Sequence, residues 1–136
     1  MDTTHPSGPV SRKTLWAGYI LGLLACLMMF FSGSIKLVQP PGIPEHFAHL
    51  GWSMNLVAWL GPLELACTVI YLLPRTAVLG AILLTAYLGG AVAAHVRIGE
   101  EGVALFPLGL GVALWAGLYL RDPRLRALIP LRQSAP

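Results

Sequence analysis

Residues 55–73 read NLVAWLGPLELACTVIYLL, and they decide the fold. The run is largely apolar and carries one charged residue, the carboxylate Glu64, nine residues after Asn55 and ten before Pro74. A helix needs about 20 residues to cross a bilayer core. The run is therefore of spanning length, and Glu64 falls near the midplane. It lacks the period-two alternation of a barrel strand. Lipid offers backbone amides no partner, so a continuous apolar run must satisfy them internally as a helix.

Three further runs flank it. Leu15 to Val38 is interrupted only near its end, by Lys36; Thr76 to Val96 stops at Arg97; Val103 to Leu120 stops at Arg121-Asp122-Pro123. The expected architecture is all-α: a four-transmembrane-helix bundle with spans at about 15–38, 55–73, 76–96 and 103–120. The membrane domain would occupy 14–122, between a tail at 1–13 and a basic tail at 123–136. The first run is about twice as long as the apolar region of a signal peptide, which favours a retained span. Composition agrees. The chain of 136 residues is 56% hydrophobic and 11% charged, with a mean hydropathy of +0.70. Soluble domains are about one quarter charged, so this chain has too little polar surface for a water-facing globule. The net charge of +3 does not point to nucleic acid, because the basic residues sit at the ends of apolar runs. There they suit an anionic membrane surface.

Lys and Arg also set an orientation. Four spans place both termini and the Pro74-Arg75 turn on one side, with Arg12, Lys13, Arg75, Arg121, Arg124, Arg126 and Arg132. The other side carries only Lys36 and Arg97. Seven against two puts the N- and C-termini in the cytoplasm of a bacterial inner-membrane, multi-pass protein. The loop at 39–54 and the acidic Glu100-Glu101 then lie on the far side. In that loop Pro44 suits a first helical position, Glu45 a first turn and Gly51 a helix end. We expect a short interfacial helix between spans one and two, lying across the outer mouth of the bundle.

Small residues recur at four-residue spacing: Gly18 and Gly22; Ala86, Gly90 and Ala94; Gly109, Ala113 and Gly117. Such rows let membrane helices approach closely. They predict a tight bundle, and leave open whether one row serves a homo-oligomer.

Glu64 is the first candidate for chemistry. A charge at the bilayer centre costs roughly 2.5 to 3.5 kcal/mol on insertion scales. The acid should face the bundle, paired or protonated. Pro62 removes a backbone donor and frees the carbonyl of Ala58 beside it. Lys36 and His95 lie near the outer ends of the first and third spans. Helical side chains lean toward their own N-terminus, so both lean inward while Glu64 leans outward. The axial gap from Lys36 to Glu64 is on the order of 10 Å, within reach of a lysine stem with or without a bridging water. The alternative is that Lys36 snorkels to the headgroups, and that His95 is an ordinary interfacial histidine. His46 and His49 have a spacing compatible with metal binding alongside His95 or Glu45, but lack the defined four-ligand spacing of structural zinc. Cys26 and Cys67 differ in depth by roughly 8 Å, too far for a disulfide. They read as small buried residues. No phosphate loop, dinucleotide fingerprint or Ser-His-Asp set is present.

FSGSIKL at 31–37, HFAHLGW at 46–52, GPLELACTVIYLLPRTAVLGAILLTAYLGGAVAAHVRIG at 61–99 and WAGLYLRDPRLRALIP at 115–130 resemble the DoxX-like membrane proteins. The shared features fall on Gly33, Lys36, Glu64, Arg75, Gly89, Gly90 and His95. The resemblance implies a four-helix integral membrane protein. The family's namesake is similar to the small subunit of an archaeal thiosulfate:quinone oxidoreductase. Other relatives are tied to membrane oxidoreductase assemblies, and animal relatives include a receptor-assembly chaperone. The expectation is an accessory subunit that binds a small amphipathic ligand, a quinone or a lipid, for a membrane redox partner. Glu64, Lys36 and His95 would be its ligand-binding residues. One alternative is a non-enzymatic assembly factor or structural subunit. Another is a stand-alone membrane enzyme using Glu64 as acid or base. No cofactor is specified.

Overall fold

The computed structural model describes residues 11–128, so most of both tails, Arg132 included, lies outside the described residues. Six helices follow one another: α1 (Arg12–Val38), α2 (Ile43–His49), α3 (Met54–Leu72), α4 (Ala77–Arg97), α5 (Glu101–Arg121) and α6 (Pro123–Leu128). No strand occurs among the described residues. The four long helices have 27, 19, 21 and 21 residues and are apolar enough to cross a membrane. Each expected span matches one of them within about three residues. The early start of α1 has a local cause: Ser11 caps it, its hydroxyl accepting from the Thr14 amide at 3.3 Å. α3 continues through Pro62 and α5 through Pro107. α6 was not expected. Asp122 starts it, its carboxylate accepting from the Arg124 amide at 2.9 Å, with Pro123 at the first helical position.

The spans form a ring in which α1 packs on α3 and α5, and α4 packs on α3 and α5. The centre holds Met29, Tyr71, Leu84, Leu114 and Leu118, all buried. Tyr71 spans the ring diagonally, its hydroxyl donating to the Leu114 carbonyl at 2.7 Å. At the same end the Arg121 guanidinium lies 5.0 Å from the Tyr71 ring centre and 5.5 Å from that of Tyr19, within cation–π range. Only about a third of each span's most apolar window faces inward. Trp59, Phe31, Leu105, Phe106 and Val112 point out. An outer face this apolar is stable only against acyl chains, so the molecule is a multi-pass membrane protein in contact with the lipid bilayer.

Three close approaches set the helix spacing. Gly18 and Gly22 on α1 meet Gly117 on α5, where an added Cβ on Gly117 would lie 2.8 Å from the Gly22 nitrogen. Gly33 on α1 meets Gly61 on α3, and a Cβ on Gly61 would stand 2.9 Å from the Gly33 carbonyl oxygen. Gly80 on α4 sits directly on the Tyr71 backbone of α3. The small-residue expectation therefore needs correction. The Gly18–Gly22 row and the Gly117 end of the α5 row do pack helices together. A Cβ added at Gly90 or Gly109 would meet no other helix within 4 Å among the described residues, and Ala86, Gly90 and Ala94 line a cavity instead. A row of small residues marks either a contact or a space, and its neighbours decide which.

Candidate functional site

The Gly33–Gly61 approach brings α1 and α3 together one helical turn from Lys36 and Glu64. Lys36 Nζ lies 2.8 Å from Glu64 Oε2, so the pair closes directly without a bridging water. The other two protons of the ammonium go to Ser32, one to its hydroxyl at 2.6 Å and one to its carbonyl at 3.3 Å. The ammonium also lies 5.9 Å from the ring centres of Phe47 and Tyr87. Lys36 does not snorkel away: its side chain is 11% exposed, and that of Glu64 1%. Opposite-charge pairing, with every Lys36 proton hydrogen-bonded, is what keeps two such ions in an apolar interior.

A second donor reaches the same carboxylate oxygen. The Tyr87 hydroxyl on α4 donates to Glu64 Oε2 at 2.8 Å. Nothing in the sequence singles out Tyr87, because an aromatic ring within an apolar run is ordinary. The Thr68 hydroxyl donates to the Glu64 carbonyl at 2.7 Å, one turn along α3.

These groups close the deep end of a cavity of about 680 Å³ between the spans. Leu60, Leu83 and Leu110 give it apolar walls, while Leu63 and Phe106, both more than half exposed, stand where it opens to the lipid-facing surface. Ligand sites in proteins are typically about 300–1,000 Å³, largely apolar with a few placed polar groups. α2 roofs the outer end through His46, Phe47 and Leu50, so the expected interfacial helix lies where a mouth-covering helix would. The Arg97 guanidinium donates to the Leu50 carbonyl. It also lies under Gly51, whose φ of +75° and lack of Cβ are both required there.

His95 lines the same cavity but does not bond to Glu64 or Lys36. The expectation that all three converge is met for two. His95 turns instead to a residue that read only as loop charge: Glu100 accepts from His95 Nδ1 at 2.8 Å and from His49 Nε2 at 3.0 Å. A carboxylate only accepts, so His95 carries its proton on Nδ1. Glu100 thereby ties α2 to the end of α4. His46 lies 6.0 Å from His95 ring to ring. Among the described residues no three His, Cys, Asp or Glu side chains are grouped to hold a metal ion. Cys26 and Cys67 are both buried and unbridged.

The hydrogen bonds from His95, then from His49, hold the Glu100 carboxyl below its ordinary value of 4.5. A depressed carboxyl stabilises the fold above its unfolded pKa and loses that contribution as pH falls through the folded one. The tether from α2 should hold in full above the ordinary carboxyl value of 4.5 and release as pH falls through the lower folded value. Hydrogen exchange at the amides of 43–52 should then rise on acidification. In Glu100→Gln the exchange should already be raised at neutral pH and change little with acid.

Comparison with known proteins agrees with this architecture. A family model described as the DoxX-like family matches residues 20–117. The chain belongs to the DoxX-like family. No curated protein and no solved structure matches it. In this DoxX-like chain the matched residues include Lys36, Glu64, Tyr87, His95 and Glu100, so the buried ion pair, its tyrosine and the roof tether all lie within the family region.

Proposed function

We propose that this DoxX-like protein is an accessory subunit of a membrane redox system and binds a small amphipathic ligand, a quinone or a lipid. The ligand's head would meet Glu64, Lys36 and Tyr87, its tail would follow the apolar walls, and His95 would stand at the outer rim. The observation that carries the proposal is the pairing of a sealed polar end with a large apolar cavity. If the polar groups served only to hold helices together, dense packing around them would suffice. The Lys and Arg asymmetry supports a bacterial inner-membrane placement with both termini cytoplasmic.

A non-enzymatic assembly or structural role is the second reading. One observation favours it: all three Lys36 donors are already satisfied within the protein. Mass spectrometry of small molecules and proteins that co-purify from native membranes separates the two. The proposal expects a bound quinone or lipid that is lost in Glu64→Gln and Lys36→Met. Partner recovery that falls with no small molecule in the wild type would instead favour the assembly role.

Gly90 gives a test that spares the polar groups. It lines the cavity and has open space around its Cα. Gly90→Leu should leave stability within about 1 kcal/mol, since leaving glycine in a helix gains about as much as any small readjustment costs. It should nonetheless abolish co-purification of the ligand. Retention of ligand with an intact fold would count against the cavity as its site.

A further inference from the structure

The polar valences left open at the deep end of the cavity define the head group it takes. Lys36 has no spare proton, since Glu64, the Ser32 hydroxyl and the Ser32 carbonyl use all three. The Tyr87 hydroxyl proton is also spent, on Glu64. Both donors converge on Oε2, and Glu64 Oε1 receives no hydrogen bond among the described residues. Yet no side-chain oxygen or nitrogen there is both fully enclosed and unpaired. Oε1 therefore reaches the cavity space. A carboxylate oxygen of a residue only 1% exposed opens into an apolar chamber and needs a donor. The ion pair beside it sums to zero charge, so any added ion would be uncompensated in a medium of low dielectric.

We infer that the cavity selects an uncharged amphiphile whose head is a hydroxyl, donating its proton to Glu64 Oε1. Ser32 and Tyr87 line the same cavity. Ser32 can turn its own proton to the ligand oxygen, as a hydroxyl both gives and accepts. A carbonyl or ether head would put a lone pair against Oε1 and leave it unpaired, so of the ligands proposed above the selection keeps a reduced quinol or a hydroxyl-headed lipid and drops the oxidised quinone. A carboxylate or phosphate would add repulsion. An ammonium would supply donors but leave a net positive charge in the chamber. This selection refines the ligand-binding role proposed above and presupposes that role.

The test uses the wild-type chain in phosphatidylcholine nanodiscs with four probes that share a tail: dodecanol, dodecyl methyl ether, dodecanoate and dodecylamine. Cys67 lines the cavity and Cys26 does not. Alkylation by N-ethylmaleimide, read at each cysteine by peptide mass spectrometry, therefore reports occupancy at Cys67 with Cys26 as the internal control. Dodecanol should protect Cys67 at a concentration about ten- to a hundredfold below that of the ether, the ratio expected for one hydrogen bond to a charged acceptor. Dodecanoate and dodecylamine should protect less well than dodecanol. In Glu64→Gln, the alcohol and ether should converge to within a few-fold. Equal protection by alcohol and ether in the wild type would overturn the donor requirement while leaving the cavity as a ligand site. Stronger protection by either ion would overturn the neutrality requirement. Protection by none of the four would overturn the cavity reading itself.

Discussion

Lys36→Met should destabilise the protein by about 3–5 kcal/mol, the cost of leaving one member of a buried ion pair behind. Glu64 would keep only the Tyr87 proton, at a position 1% exposed and walled by apolar side chains. The reverse change should be milder. Glu64→Gln leaves Lys36 with both Ser32 oxygens and a stem long enough to carry the ammonium toward the nearer headgroups. A loss of about 1–3 kcal/mol is expected there. The double variant Lys36→Met with Glu64→Gln should recover much of the first loss, because it removes the orphaned charge. Unfolding in mixed micelles, with all three variants in one double-mutant cycle, measures the coupling directly. A cost below about 1 kcal/mol for Lys36→Met, with no coupling, would mean that the pair does not form in the bilayer.

The second large effect is expected at Gly80, far from the ion pair. Its Cα rests on the backbone of Tyr71, so a side chain there would meet main chain and not the flexible end of a side chain. Relief requires α4 to lift off α3. That movement would disturb Tyr71, whose hydroxyl bonds α5 across the ring and whose face receives Arg121. Gly80→Leu should cost about 3 kcal/mol, the upper end of the usual overpacking penalty. The same change at Gly90, ten residues along the same helix, should cost little. The two variants have the same composition and lie on one helix, so thermal unfolding of the pair isolates packing from helix propensity. Equal stabilities would show that α3 and α4 do not meet at Gly80 in the membrane.

The number and type of the long apolar helices were legible before any tertiary information. The reason is that hydrocarbon leaves a backbone no other way to satisfy its amides. Glu64 and Lys36 were legible for a related reason: ions at membrane depth are costly and have to be accounted for. Their lean along opposite helix directions showed that they could meet, while snorkelling of Lys36 stayed open until the helices were packed. Other parts of the site were hidden. Tyr87 matters through its hydroxyl, and nothing local shows what that hydroxyl reaches. Glu100 sits among loop residues, where acids are usually solvated, and only the return of α2 over the end of α4 gives it two histidines. The Asp122-Pro123 start of α6 did carry a legible cap signal, which the basic character of the tail obscured.

By itself the chain's order of residues determined that this protein is a four-span helical membrane protein with an acid that must be enclosed, because those outcomes follow from hydropathy, helix length and the cost of charge in lipid. Which glycines close a contact and which open a chamber was decided only in three dimensions, as the contrast between Gly80 and Gly90 makes plain. The same holds for the Glu64 oxygen that no described residue bonds. Its valence is set by which neighbours arrive from α1 and α4, and pairing between helices is a property of packing that no single segment contains.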